Sequence, residues 1–138
     1  MDHSDLEARI TQGREVVARI TRAKKQSFNG LKPSMLPDRP GIYVITTTDG
    51  EILRAGRTDK QTLRGRIYRN HLMGNQKGNL RSQLVGAGIC PDIDQAKDWI
   101  RQHCLVQWLE KTHLDGLGVD IRWAEHFLLA VLRPTFSD

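Results

Sequence analysis

Pro40-Gly41-Ile42-Tyr43-Val44-Ile45-Thr46-Thr47-Thr48-Asp49-Gly50-Glu51-Ile52-Leu53-Arg54-Ala55-Gly56-Arg57 is the stretch whose reading decides the fold. The run Ile42, Tyr43, Val44, Ile45 is β-branched and aromatic, which predicts a strand over residues 41–47. Asp49-Gly50 then predicts a tight hairpin turn, since glycine takes the positive φ that such a turn demands. The partner strand follows over residues 51–57.

Downstream of the hairpin, Leu63, Ile67 and Tyr68 fall at spacings that favour one face of a helix over residues 63–72, with Asp59 or Thr62 as its cap. Residues 73–79 form a polar loop containing Gly74, Asn75, Gln76, Lys77 and Gly78, and residues 80–85 read as helix again. A further helix begins near Asp92 or Asp94 and sets Ala96, Trp99, Ile100 and His103 on one side. Residues 104–110 read as a third strand, and residues 115–120 as a turn-rich loop. The last helix, 120–132, carries Trp123, Phe127, Leu128, Val131 and Leu132 as an apolar stripe and ends before Pro134.

Upstream, Ser4-x-x-Glu7 has the form of a capping box, and Leu6, Ile10, Val17 and Ile20 continue at helical spacing to about Lys24. Gly30, Pro33, Pro37 and Pro40 make residues 29–40 an irregular strap. The expectation is an α+β fold: a small, mostly antiparallel three-stranded sheet flanked by helices, with an added N-terminal helix. Residues 1–39 form that helix and strap, and residues 40–138 the main domain.

At 138 residues, 38% apolar and 27% charged, the chain fits one globular domain. No apolar run approaches the roughly 18 to 20 residues of a membrane span, and the N-terminus is polar and acidic, unlike a secretory signal. These features lead us to expect a cytoplasmic protein. Cys90 and Cys104 are too few for a disulfide framework and are expected to be reduced and buried; with His103 and His113 they show no zinc-ligand spacing. The net charge is +5, but residues 52–90 alone carry eight lysines and arginines against one acid, a local +7 that leaves −2 elsewhere. Such a segment attracts phosphate backbones, or an acidic protein partner, in a salt-dependent way.

The order of Gly41-Ile42-Tyr43, then Arg54-Ala55-Gly56, then Arg66 on the next helix and Glu125 on a late helix ending at Pro134 resembles the GIY-YIG nuclease family. The resemblance covers roughly residues 40–138. Arg54 stands where that family has the tyrosine of its second motif, and Ser137 where it often has an asparagine. The resemblance implies a divalent-metal-dependent endonuclease acting on DNA, with Tyr43, Arg66, His71 and Glu125 as catalytic residues and Glu125 as ligand to Mg²⁺ or Mn²⁺. It also implies a general base drawn from the tyrosine and histidine of this cluster. The alternative is a catalytically silent nucleic-acid-binding module on the same fold.

The residue chemistry suits phosphodiester hydrolysis. That reaction needs an oriented nucleophile, neutralised phosphate oxygens and a stabilised leaving oxygen. Arg66 and Arg57 offer forked donors to phosphate, and Arg54, Arg64, Arg69, Lys77 and Ser137 are further candidate substrate contacts. Glu125 lies between Trp123 and Phe127, where a buried carboxylate requires a metal or an arginine partner. His71 lies five residues after Arg66, one more than the family spacing, which Asn70 meets. On an α-helix that offset rotates the side chain by about 100°. His126 is read as structural or phosphate-contacting.

Overall fold

The computed structural model describes residues 2–137. In chain order the elements are α1 (His3–Arg22), β1 (Gln26–Ser27), β2 (Gly41–Thr47), β3 (Ile52–Thr58), a π-helix (Gly65–Leu72), α2 (Leu80–Gly86), α3 (Ile93–His103), β4 (Cys104–Glu110), α4 (Lys111–Gly116) and α5 (Ile121–Leu132). The architecture is α+β, and the sheet is antiparallel with strand order β1-β4-β2-β3. It has four strands where the sequence led us to expect three. Two residues are too few to show alternation, and Gln26 and Ser27 become a strand only because Val106 and Leu105 of β4 lie opposite them.

Both faces of the sheet are covered. Ile42 and Val44 join Val16, Ile20, Ala124 and Leu128 in a core on one face. Tyr43 and Ile45 join Phe28, Leu36, Ile67, Leu84 and Ile100 on the other. A strand buried on both sides reads as a continuous apolar run, which is why Ile42 to Ile45 shows no polar alternation. Gly41 is required by packing: a Cβ there would collide with the Leu109 carbonyl of β4.

Two local expectations are corrected by hydrogen bonds. Asp2, not Ser4, caps α1, its carboxylate accepting from the Asp5 N–H at 2.9 Å. The head of the expected loop before α5 is helical, as α4. The other end of α1 is closed from the sheet, where the buried Gln107 amide donates to the Thr21 and Ala23 carbonyls at 3.0 and 2.8 Å. The described part of residues 1–39 packs into both cores, with Val16 and Ile20 on one face and Phe28, Leu31 and Leu36 on the other. Among the described residues no helix is long and apolar enough to cross a membrane.

The hairpin also contains the device that positions the site. Ile45 lies opposite Arg54 but Thr46 lies opposite Ile52, so Leu53 is an extra residue on β3, a bulge next to Arg54. β3 is an edge strand, and the C-terminal tail covers its beginning: Thr135 and Phe136 N–H donate to the Ile52 and Leu53 carbonyls, both at 2.9 Å. An exposed edge is thereby blunted.

Candidate active site

The helix after the hairpin is a π-helix over Gly65–Leu72, entered through Thr62, whose hydroxyl accepts from the Gly65 N–H at 3.1 Å. Its i→i+5 bonding is seen where the Met73 N–H donates to the Tyr68 carbonyl at 3.0 Å. π-helical segments are rare and are frequently found at functional sites. Here the consequence is direct. Arg66 and His71 are five residues apart, and both reach the Tyr43 hydroxyl, His71 Nε2 at 2.7 Å and Arg66 Nε at 3.5 Å. The extra residue that an α-helix would have turned aside is absorbed by the wider helix.

The tautomer of His71 follows from its second bond. The Leu80 N–H lies 3.0 Å from His71 Nδ1, and a backbone amide can only donate, so Nδ1 carries the lone pair. In the neutral ring the proton then sits on Nε2 and is donated to the Tyr43 oxygen. His71 is fully buried, and burial, followed by the positive charges of Arg54 and Arg66, pushes its pKa well below the ordinary histidine range. It is a neutral donor that orients Tyr43. With one nitrogen bonded to Leu80 and the other already protonated, it has no lone pair to offer a water molecule.

Gly56 lies opposite Tyr43, and a Cβ built on it would stand 2.8 Å from the tyrosine hydroxyl. Gly56 therefore makes room for the phenol. Arg54, 1% exposed, bonds the Gly78 carbonyl and the Gln83 side chain, the latter at 2.7 Å. Burial lowers its pKa and the nearby Tyr43 counters that shift. Its guanidinium is buried beside the Tyr43 hydroxyl, to which it is also hydrogen-bonded.

The other half of the site comes from the opposite face of the sheet. Arg57 pairs across from Ile42 and so points toward α5, where it forms an ion pair with Glu125. Arg57 Nε also bonds Asp59 at 2.8 Å. The Asp59 hydrogen bond, then that of Glu125, hold the Arg57 guanidinium more firmly protonated than usual. Glu125 is 7% exposed on α5, with Ala124 and Leu128 buried beside it, so the arginine neutralises a carboxylate that would otherwise be costly to bury.

Around the β3 edge these groups wall an open cleft of about 470 Å³, lined by Arg57, Lys60, Arg66, Glu125, His126 and Ser137 among others. The tail that pairs with β3 brings Ser137 there, and its carbonyl accepts from Gln83 Nε2 at 2.7 Å. Of the other expected contacts, Arg64 serves the fold, its Nε bonding the Pro33 and Leu36 carbonyls at 2.9 and 3.1 Å. Arg69 lines a neighbouring groove, and Lys77 is exposed on the loop before α2. Lys60 and Gln61 were not singled out from sequence, and His126 was read there as structural or phosphate-contacting. His126 lines the cleft, with Nε2 3.8 Å from the Glu125 carboxylate. Their only signal was proximity in sequence to Arg57 and Glu125.

Glu125 has the chemistry to hold a divalent ion: a hard oxygen donor on the wall of an open cleft. Mg²⁺ and similar ions take one or two protein carboxylates and leave their remaining positions to water and substrate oxygens. Among the described residues no three His, Cys, Asp or Glu side chains gather into a metal-ligand group, so the protein's share of such a site is small. Comparison with family models, curated proteins and solved structures gives no match.

Proposed function

We propose that this chain is a GIY-YIG-like, divalent-metal-dependent endonuclease that hydrolyses DNA phosphodiester bonds. The observation that carries the reading is the convergence of Arg66 and His71 on the Tyr43 hydroxyl, with Arg66 also lining the cleft that holds Glu125 and Arg57. Arg66 and Arg57 bind the phosphate oxygens with forked donors. The Tyr43 hydroxyl, which His71 holds in place, orients the attacking water. Glu125 is the residue that would hold Mg²⁺ or Mn²⁺, and such an ion polarises the phosphate and stabilises the leaving oxygen.

A second reading is supported by the 1% exposure of Tyr43 and by Arg54 in place of the family's second tyrosine. On that reading the same cleft binds phosphates without cleaving them. The two are separated by incubating the protein with supercoiled plasmid and with labelled duplex, single-stranded and branched DNA, in Mg²⁺, Mn²⁺ or EDTA. Metal-dependent nicking that falls at least about 100-fold in Glu125→Ala is the expected result. Salt-dependent binding without nicking, equal in both proteins, establishes the silent module instead.

A further inference from the structure

Glu125 and His126 are neighbours on α5, and adjacent residues of an α-helix point about 100° apart. Both nevertheless line the cleft. Only 9% of the Glu125 side chain is exposed, whereas 65% of the His126 side chain is open to solvent. His126 Nε2 stands 3.8 Å from Glu125 Oε1, too far for a hydrogen bond. The separation suits a shared ion instead, because two donors each about 2.0–2.2 Å from one cation stand at most about 4.4 Å apart. Arg57 Nη1 already bonds the same Glu125 oxygen. The Arg57 Nε is held separately by Asp59 at 2.8 Å, so the guanidinium keeps an anchor when its Nη1 gives way to a cation. Among the described residues no third His, Cys, Asp or Glu joins the pair in a metal-ligand group.

We propose that His126 and Glu125 together hold the divalent ion, in a site of one imidazole nitrogen and one carboxylate oxygen that binds first-row transition ions in preference to Mg²⁺ before DNA arrives. The proposal rests on the metal-dependent reading above and adds to it a second ligand and a choice of ion. A carboxylate alone suits Mg²⁺, which takes oxygen ligands and keeps several of its waters. An imidazole shifts the balance. Transition ions accept nitrogen donors, with affinity rising from Mn²⁺ to Co²⁺, while Mg²⁺ gains little by giving up a water oxygen for a ring nitrogen.

The test is metal binding by the full chain without DNA, at fixed pH and salt. Bound Mn²⁺ is counted by electron paramagnetic resonance, and Mg²⁺ and Co²⁺ are ranked by their displacement of it. The expected result is Mn²⁺ held at least about 10-fold more tightly than Mg²⁺ and less tightly than Co²⁺. His126→Ala changes an exposed side chain and leaves the core untouched. It is expected to weaken Mn²⁺ binding at least about 10-fold while Mg²⁺ affinity changes little, which erases the preference. Unchanged Mn²⁺ affinity in this variant overturns the second ligand, and a loss of DNA affinity in EDTA alongside it makes His126 a phosphate contact. Equal weakening of Mn²⁺ and Mg²⁺ overturns the nitrogen ligand. Failure of the parent chain to bind Mn²⁺ overturns the site, and the nicking assay above then decides separately whether the endonuclease reading stands.

Discussion

Tyr43, Gly56 and His71 form a set in which each residue fixes the next. His71 Nδ1 accepts from Leu80, which commits Nε2 to Tyr43, and the missing side chain at Gly56 makes room for the phenol. Gly56→Ala is therefore expected to displace the hydroxyl and lower nicking by about 10- to 100-fold, the scale of a misplaced reacting group, with DNA affinity little changed. Gel assays of cleavage and binding on the same preparation check this. His71 adds a pH dependence. An unfolded chain protonates it below about pH 6.5, whereas burial and the Arg54 and Arg66 charges keep the folded form neutral to well below that pH. The unfolded state then binds more protons, so stability is full above about pH 6.5 and falls as the pH drops, by up to about 1.4 kcal/mol per unit, until the depressed folded pKa is reached. Urea midpoints measured from pH 7 to pH 5 are expected to fall less in His71→Gln than in the parent. Parallel curves would show that this ring is not the neutral buried group described. The residue types at this site were legible in the sequence, but the pairing of His71 with Tyr43 was not. An α-helical reading turned it about 100° away, because sequence periodicity carries no mark of a π-helix.

Among the elements, the hairpin was the most legible. Its first strand spans Gly41–Thr47, as the run of β-branched residues predicts, and Gly50 has a φ of 93° at the turn. The reason is that strand propensity, turn chemistry and burial agree there. Gly41→Ala sets a methyl group against a backbone carbonyl that cannot rotate away, and is expected to cost about 1–3 kcal/mol in denaturant unfolding. An undiminished midpoint would mean that β2 and β4 can separate without penalty. Elements whose existence depends on a distant partner were not legible. β1 exists because β4 passes beside it. The bulge at Leu53 and the tail beside β3 likewise arise from pairing between separated segments.

Across the whole molecule, the +7 carried by residues 52–90 is spent in more than one way. Arg54 is buried in the interior, Arg64 ties down the strap, and Arg81 bonds the Gly74 and Ile93 carbonyls. Arg57, Lys60 and Arg66 line the cleft, and under the proposed function these three set the electrostatics of binding. If each neutralises one phosphate, affinity for DNA is expected to fall about 20- to 40-fold between 50 and 200 mM salt. A slope near that of all eight basic residues would show that the groups read here as structural contact phosphate as well. Association measured over that salt range decides it.

By itself the sequence determined the hairpin, the helices with strong amphipathic stripes, the basic segment, and an ordered set of a tyrosine, arginines and a glutamate suited to phosphate chemistry. These are properties of neighbouring residues, fixed by propensity, periodicity and charge. Only the tertiary structure decided which of those groups meet. The edge of β3 holds Arg57 toward Glu125 on one face of the sheet, while the π-helix carries Arg66 and His71 to Tyr43 on the other. The same packing removes Arg54 from the surface. Such meetings depend on register, bulges and helix pitch, which are set by contacts between residues far apart in the chain.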